Sequence, residues 1–314
     1  MRNSLKLLIG AVVALALNAH AADENSLGAD ITKGAKEWIK DASGKAKEIE
    51  QREKRVRDIG RALALGTDRA MLDELYGMAS AGNPSALNLM GWLFDHGKGG
   101  VVQDSYKAAT YFREAAIKGD ADALYNLSII LDNGRGLKAD KAMAARLLKQ
   151  AIAANQKYAA TRAGIIAEQS RNYEDALRSY SFAASDRRQV YAIYRMGVLT
   201  FRGASARSKP DAKNGLMLLT RAASLWSPEA MATLAGIYAD GLLVPANRVE
   251  AGKWLELWRL NSLRNAAERA GKDPVVLNLT KEEQVYVQRA VDVWKGYRSP
   301  PEANARVDYN QTLF

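Results

Sequence analysis

The 314-residue chain is predicted to be all-α, an α-solenoid of stacked antiparallel helix pairs ending in a C-terminal capping helix. Three observations predict it. Apolar residues recur three and four positions apart through most of the length, which is the helical period. Small residues sit where two paired helices must touch, and glycine-rich turns separate the members of each pair. The whole arrangement then repeats at a nearly fixed interval, as stacked helical units do.

The first residues form a targeting segment. Arg2 and Lys6 are followed by the apolar run Leu7 to Leu17 and by Ala19-His20-Ala21, a small-x-small cleavage pattern. Residues 1–21 are therefore read as a secretory signal peptide cut near Ala21, which addresses the mature chain to the periplasm. The apolar run is shorter than a bilayer crossing requires, so no stable membrane insertion is expected after cleavage.

Composition then excludes several kinds of chemistry. There is no cysteine, so disulfides, thiolate metal sites and cysteine nucleophiles are absent. His20 leaves with the signal, and His96 is the one histidine that remains. No EF-hand spacing, phosphate loop, G-x-S-x-G or H-E-x-x-H occurs, so no metal, cofactor or catalytic residue is expected. The formal charge is +10, and +8 once Arg2 and Lys6 are gone. Such a balance favours acidic partners. An exported chain rarely meets nucleic acid, so none is expected as a partner.

Residues 22–44 are small, polar and mixed in charge, and read as a loosely ordered start running into a short amphipathic helix around Trp38-Ile39. A charged helix follows from Lys45 to Leu65, with Ile49, Val56, Ile59 and Leu63 on one narrow apolar stripe. Gly66 stops it, and Asp68 can cap a second helix, Arg69 to Ala81. The solenoid proper is expected over 45–260.

Its clearest unit is Ala86 to Gly119. Ala86, Met90, Gly91, Phe94 and Gly97 recur thirty-seven residues on as Ala123, Leu127, Ser128, Leu131 and Gly134. Ala108, Tyr111, Phe112 and Ala115 return as Ala144, Leu147, Leu148 and Ala151. A third unit from Ala159 lacks the glycine turn and passes directly into Asn172-Tyr173-Glu174-Asp175. A fourth starts at Ala192 and turns at Gly203; a fifth starts at Ala230, with Gly241, Ala251 and Trp254. The turns Gly97-Lys98-Gly99-Gly100 and Gly134-Arg135-Gly136 follow helices, so they read as helix stops needing positive φ and not as nucleotide loops. Helical residues continue to about Gly271. Thr280-Lys281-Glu282-Glu283 is a capping box that opens the last helix, where Tyr286, Ala290, Val293, Trp294 and Tyr297 share one face. Residues 261–298 are thus expected to be capping helices and 299–314 a flexible tail, with Tyr309, Leu313 and Phe314 able to dock on a partner or on the solenoid.

The order Ala-x-x-x-(Leu/Met)-Gly-x-x-(Tyr/Phe)-x-x-Gly-x-Gly, followed by Asp, Lys-Ala, an aromatic and Ala-Ala, resembles the Sel-one-like repeats of the tetratricopeptide superfamily. Ala86–Gly119 and Ala123–Ala153 match best, and the third unit looks more like an ordinary tetratricopeptide repeat. The resemblance implies a superhelix whose inner wall carries the first helix of each pair. On that face stand Asn88, Trp92 and Asp95; Tyr125, Ile129 and Asp132; Thr161, Ile165 and Glu168; Tyr194, Val198 and Phe201. They form a candidate groove for an extended peptide or partner helix. The competing expectation is that superhelical packing buries several of them, notably Trp92, Ile129, Ile165 and Val198, with Asn88 and Tyr125 left open. The resemblance further implies a non-enzymatic adaptor or scaffold for protein partners of the bacterial envelope, in assembly or regulation of a secretion, motility, pilus or signalling system. The basic charge and aromatics leave a cell-wall or exopolysaccharide-binding module as the alternative, and a cell-wall hydrolase as a further one.

Overall fold

A computed structural model of the chain describes residues 26–203, 209–262 and 274–297, with the side chains of 26–39 and 42 excepted. The expected signal segment, the continuation to Gly271 and the C-terminal tail lie outside the described residues. The described elements are α1 (Ser26–Leu65), α2 (Arg69–Ser80), α3 (Pro84–His96), α4 (Ser105–Ile117), α5 (Ala121–Asn133), α6 (Lys141–Ala153), α7 (Lys157–Gln169), α8 (Tyr173–Ala183), α9 (Val190–Arg202), α10 (Ala212–Ser224), α11 (Pro228–Asp240), α12 (Arg248–Ser262) and α13 (Lys281–Tyr297). Helices pair as α3 with α4, α5 with α6, α7 with α8, α9 with α10 and α11 with α12, and each second helix also packs on the first helix of the next pair. The solenoid of stacked pairs is therefore the architecture, with α13 closing it against α12.

Each helix starts and stops for a local reason. The first helices take Asn83, Asp120, Gln156 and Ser227 as N-caps, whose side chains accept from the amides of Ala86, Ala123, Ala159 and Ala230. In these four repeats the marking alanine is thus also the residue whose amide is capped, whereas Gln189 ahead of Ala192 makes no such cap. The second helices use Asp104, Asp140, Asn172 and Asp211 in the same way. At the other end Gly97, Gly134 and Gly241 adopt left-handed backbone (φ 60°, 66° and 68°) and donate back to the carbonyls of Leu93, Ile130 and Ile237. The glycine turns are helix stops.

Within a pair, close approach depends on missing side-chain atoms. A Cβ on Gly91 would lie 2.6 Å from the Phe112 ring, and one on Gly164 would lie 2.5 Å from the Tyr180 ring. Phe112 and Tyr180 are themselves buried to 1 % and 0 % exposure. The aromatic of the second helix fills the notch that glycine leaves in the first, and the apolar area removed from water at these contacts drives the pairing.

The N-terminus differs from expectation. The first helix runs unbroken from Ser26 to Leu65, where the sequence suggests a loose start, a short amphipathic helix around Trp38-Ile39 and a separate charged helix from Lys45. Residues 26–44 contain no proline and hold three alanines and three lysines, so their isolated glycines, at about 1 kcal/mol each, do not stop the helix. Its C-terminal part packs on the body: Val56, Ile59 and Leu63 are buried, while Ile49 is 55 % exposed. Arg55 pairs with Glu74, and Ser85 donates to Glu53.

Candidate functional site

The face carried by α3, α5, α7, α9 and α11 is where the first helices of successive pairs meet. Counting from the repeat alanine, the second residue after it is Asn88, Tyr125, Thr161 or Tyr194, the third is Leu89, Asn126, Arg162, Arg195 or Thr233, and the ninth is Asp95, Asp132, Glu168 or Phe201. These positions interlock from one repeat to the next. Arg162 pairs with Asp132 at 2.5 Å, and Arg195 pairs through both nitrogens with Glu168, its Nε at 3.1 Å. Both rungs join an acid at the ninth position to an arginine at the third position of the following repeat. In the rung before them that arginine is Asn126. Its amide instead donates to Asn88 at 3.0 Å, and Asp95 takes Arg135 from the glycine turn at 3.1 Å. The last rung has Phe201 in place of an acid, and its neighbours Thr233 and Tyr194 share a long hydroxyl contact at 3.4 Å.

The expected groove is therefore mostly interior. Asn88, Trp92, Asp95, Tyr125, Ile129, Thr161, Val198 and Phe201 are all buried. Asn88 and Tyr125, the two expected to stay open, are 4 % and 0 % exposed. The physical reason is register: the second position points into the next first helix, so Tyr125 stacks on Tyr158 (centroids 6.5 Å apart) and Thr161 donates to Gln189. Trp92 stacks on His96, 4.5 Å between centroids. Phe201 lies against Gly215 of α10, where an added Cβ would meet its Cα at 2.5 Å. Asp132, Ile165, Glu168 and Tyr194 stay half-buried at the surface. Joining them are Arg162 and Arg195 (18 % and 22 % side-chain exposure) and the half-buried Tyr191, which meets Tyr194 edge-on. None of these three belongs to the predicted set, yet the two arginines occupy one repeat position, and a basic residue recurring there opposite a recurring acid was visible in the chain.

Electrostatically this face is neutralised from within. Burial works against the charge of Arg195, and the hydrogen bond and attraction of Glu168 outweigh it, so its pKa is raised. Burial, reinforced by Glu168, also raises the Tyr180 phenol, whose hydroxyl donates to that carboxylate at 2.9 Å. Burial raises Tyr125 and Tyr191 as well. These tyrosines stay protonated and the arginine stays charged at neutral pH. Among the described residues the carboxyl brought near neutrality is Asp120, raised to about 7, which caps the Ala123 amide at 2.8 Å. The arrangement holds repeats together; it presents no acid–base pair to a substrate. Among the described residues no group of three or more metal-ligating side chains converges. No helix among them is long and apolar enough to cross a membrane.

The fold and its register define a repeat scaffold of the tetratricopeptide class. The Sel1 repeat model matches residues 84–120, 121–156, 190–225 and 228–259, so the chain is a Sel1-like repeat protein. The unmatched interval 157–189 is the unit without a glycine turn. Among solved structures, a Sel1 repeat protein from Oxalobacter formigenes aligns with a TM-score of 0.53 at 24 % identity, over 66 % of this chain and 85 % of its own. That likeness is one of fold. The protective antigen c5321 of uropathogenic Escherichia coli, which displays an SLR fold, aligns over 96 % of this chain and 79 % of its own at 18 % identity, with a TM-score of 0.35. No curated protein matches the chain. The Sel1 and tetratricopeptide architecture is a scaffold for protein–protein interaction, not a catalytic one.

Proposed function

We propose that this chain is an exported, periplasmic adaptor that holds a protein of the bacterial envelope against the face of α7, α9 and α11. The observation that carries the reading is the half-open cluster of Ile165, Tyr191, Tyr194 and Arg195, flanked by Glu168 and Asp132. Tyrosine and arginine combine large contact area with polar tips, and residues of this kind dominate binding energy when a partner covers them. Here they stand on rigid helices locked by rungs of ion pairs, so little ordering remains to oppose binding. The adaptor would serve assembly or regulation of an envelope machine, and residues 1–21 would direct export.

The test is affinity capture from envelope extracts with the wild-type chain and with a Tyr191→Ala/Tyr194→Ala double variant. A partner retained by the first and lost by the second supports the reading. No specific partner, or the same set on both, refutes it. For the address, N-terminal sequencing of chain recovered from the periplasmic fraction should begin at Ala22. Recovery only with the cytoplasmic fraction refutes export.

A further inference from the structure

The last helix carries two apolar stripes, and the solenoid takes up only one. Val287 and Val291 are buried against α12, with Trp294 edge-on to Trp254 at 4.8 Å. The second stripe, Tyr286, Ala290, Val293 and Tyr297, begins one position earlier and so faces about 100° away. Tyr286, Val293 and Tyr297 are 49 %, 58 % and 82 % exposed. The sequence grouping of Tyr286, Ala290, Val293, Trp294 and Tyr297 on one face is therefore correct as a stripe, but most of it is outward. With Asn247 and Lys253, at the start of α12, this stripe bounds a groove of about 660 Å³ along α13.

We infer that this groove binds a short run of an acidic polysaccharide, one whose sugar rings carry carboxylates. Its wall is aromatic: Tyr286, Trp294 and Tyr297 line it, and the two tyrosines stand about 16 Å apart along the helix axis. Such rings offer apolar faces to the C–H faces of successive sugars, and with two side-chain torsions each they lose little freedom on binding. The polar groups of the lining are donors. Arg289 makes no ion pair among the described residues, and its planar fork fits a carboxylate. Lys253 lies with its ammonium 4.5 Å from the centre of the Trp254 ring and pairs with Glu250. Asn247 gives its side-chain oxygen to the Glu250 amide, which leaves its NH2 for a ligand. Among the described residues no carboxylate lines the groove; Asp292 lies about 100° round the helix from Val293 and accepts from Gln288. This donor set favours a sugar acid over a peptide. A peptide brings amide N–H groups that need acceptors, whereas helical walls keep their carbonyls for their own hydrogen bonds. A carboxylated sugar brings ring, glycosidic and carboxylate oxygens, and its hydroxyls can turn to solvent. The net charge of +10 draws a polyanion toward the chain.

Calorimetric titration of oligogalacturonate into the purified chain tests this, at about 0.15 M salt, where long-range attraction is screened. Saturable binding is expected, with uncharged dextran inert. Tyr286→Ala, Tyr297→Ala and Arg289→Gln should each weaken binding about tenfold. All three side chains are exposed, so far-UV circular dichroism and melting temperature should stay at the wild-type values. Absence of binding overturns the inference. Equal affinity for polyglutamate overturns it too, because bulk charge then explains the effect, and so does binding indifferent to both tyrosine variants. Binding that appears only after residues 298–314 are deleted makes the tail the occupant and equally overturns it. None of these outcomes depends on the α7–α11 face.

Discussion

Replacing Gly215 by alanine should destabilise the chain, while the same change at Gly77 should stabilise it. Both glycines lie inside helices, so each substitution gains about 1 kcal/mol of helix propensity. At Gly77 a Cβ meets nothing within 4 Å, and the gain stands alone. At Gly215 it would lie 2.5 Å from the Cα and Cβ of Phe201 and 2.7 Å from its backbone nitrogen. Helical backbone in the last turn of α9 cannot swing aside like a side-chain tip, so α9 and α10 must separate. Overpacking of a core costs about 1–3 kcal/mol, and a backbone obstacle puts this site at the upper end. The net expectation is a loss of about 2 kcal/mol for Gly215→Ala and a gain of up to about 1 kcal/mol for Gly77→Ala. Urea unfolding followed by far-UV circular dichroism would separate the two, and hydrogen exchange should place the loss at α9 and α10. A Gly215→Ala chain as stable as wild type, or shifted like Gly77→Ala, would refute the packing account.

Three further outcomes follow from the described contacts. Arg195→Met strands the half-buried Glu168, with only the Tyr180 hydroxyl left to it, and should lower stability by about 1–2 kcal/mol, less than for a fully buried pair because both side chains keep some solvent. A thermal-unfolding cycle with Glu168→Gln reads the coupling, and additive losses would show the rung to be inert. Asp120 has its pKa raised to about 7, first by burial and then by the Asp122 carboxylate. Between the unfolded value of 3.8 and 7 the folded chain holds this proton and the unfolded chain has released it, so the contribution of Asp120 to stability falls as pH rises through that window. Asp120→Asn keeps an N-cap and should remove this slope, gaining on wild type at pH 7.5 relative to about pH 4; parallel stability–pH curves for the two would contradict the assignment. Thr280→Ala deletes half of the capping box, in which the Thr280 amide donates to Glu283 and the Glu283 amide to Thr280. It should cost about 1 kcal/mol, seen as faster amide exchange in α13 with α3 to α6 unchanged.

The chain by itself determined the class of fold, the boundaries of most repeats and the capping of α13. Those features depend on local chemistry: side-chain caps before helices, glycines where φ must be positive, and small residues at fixed spacing. Residues 26–44 were misread because a few glycines resemble a break, although the helix formers between them carry α1 through. The role of the first-helix face was decided by tertiary structure alone. Period and polarity place Asn88, Tyr125, Thr161 and Phe201 on one stripe, but the twist between successive pairs turns that stripe into the neighbouring repeat, where amides and hydroxyls find each other instead of solvent. The same relation explains why Arg162, Tyr191 and Arg195 become accessible while Tyr125 does not, and why α13 seals the array with Val287 and Val291 and leaves Tyr286, Val293 and Tyr297 outside. A helical wheel gives directions around one axis; which of those directions is inside depends on where the next axis lies.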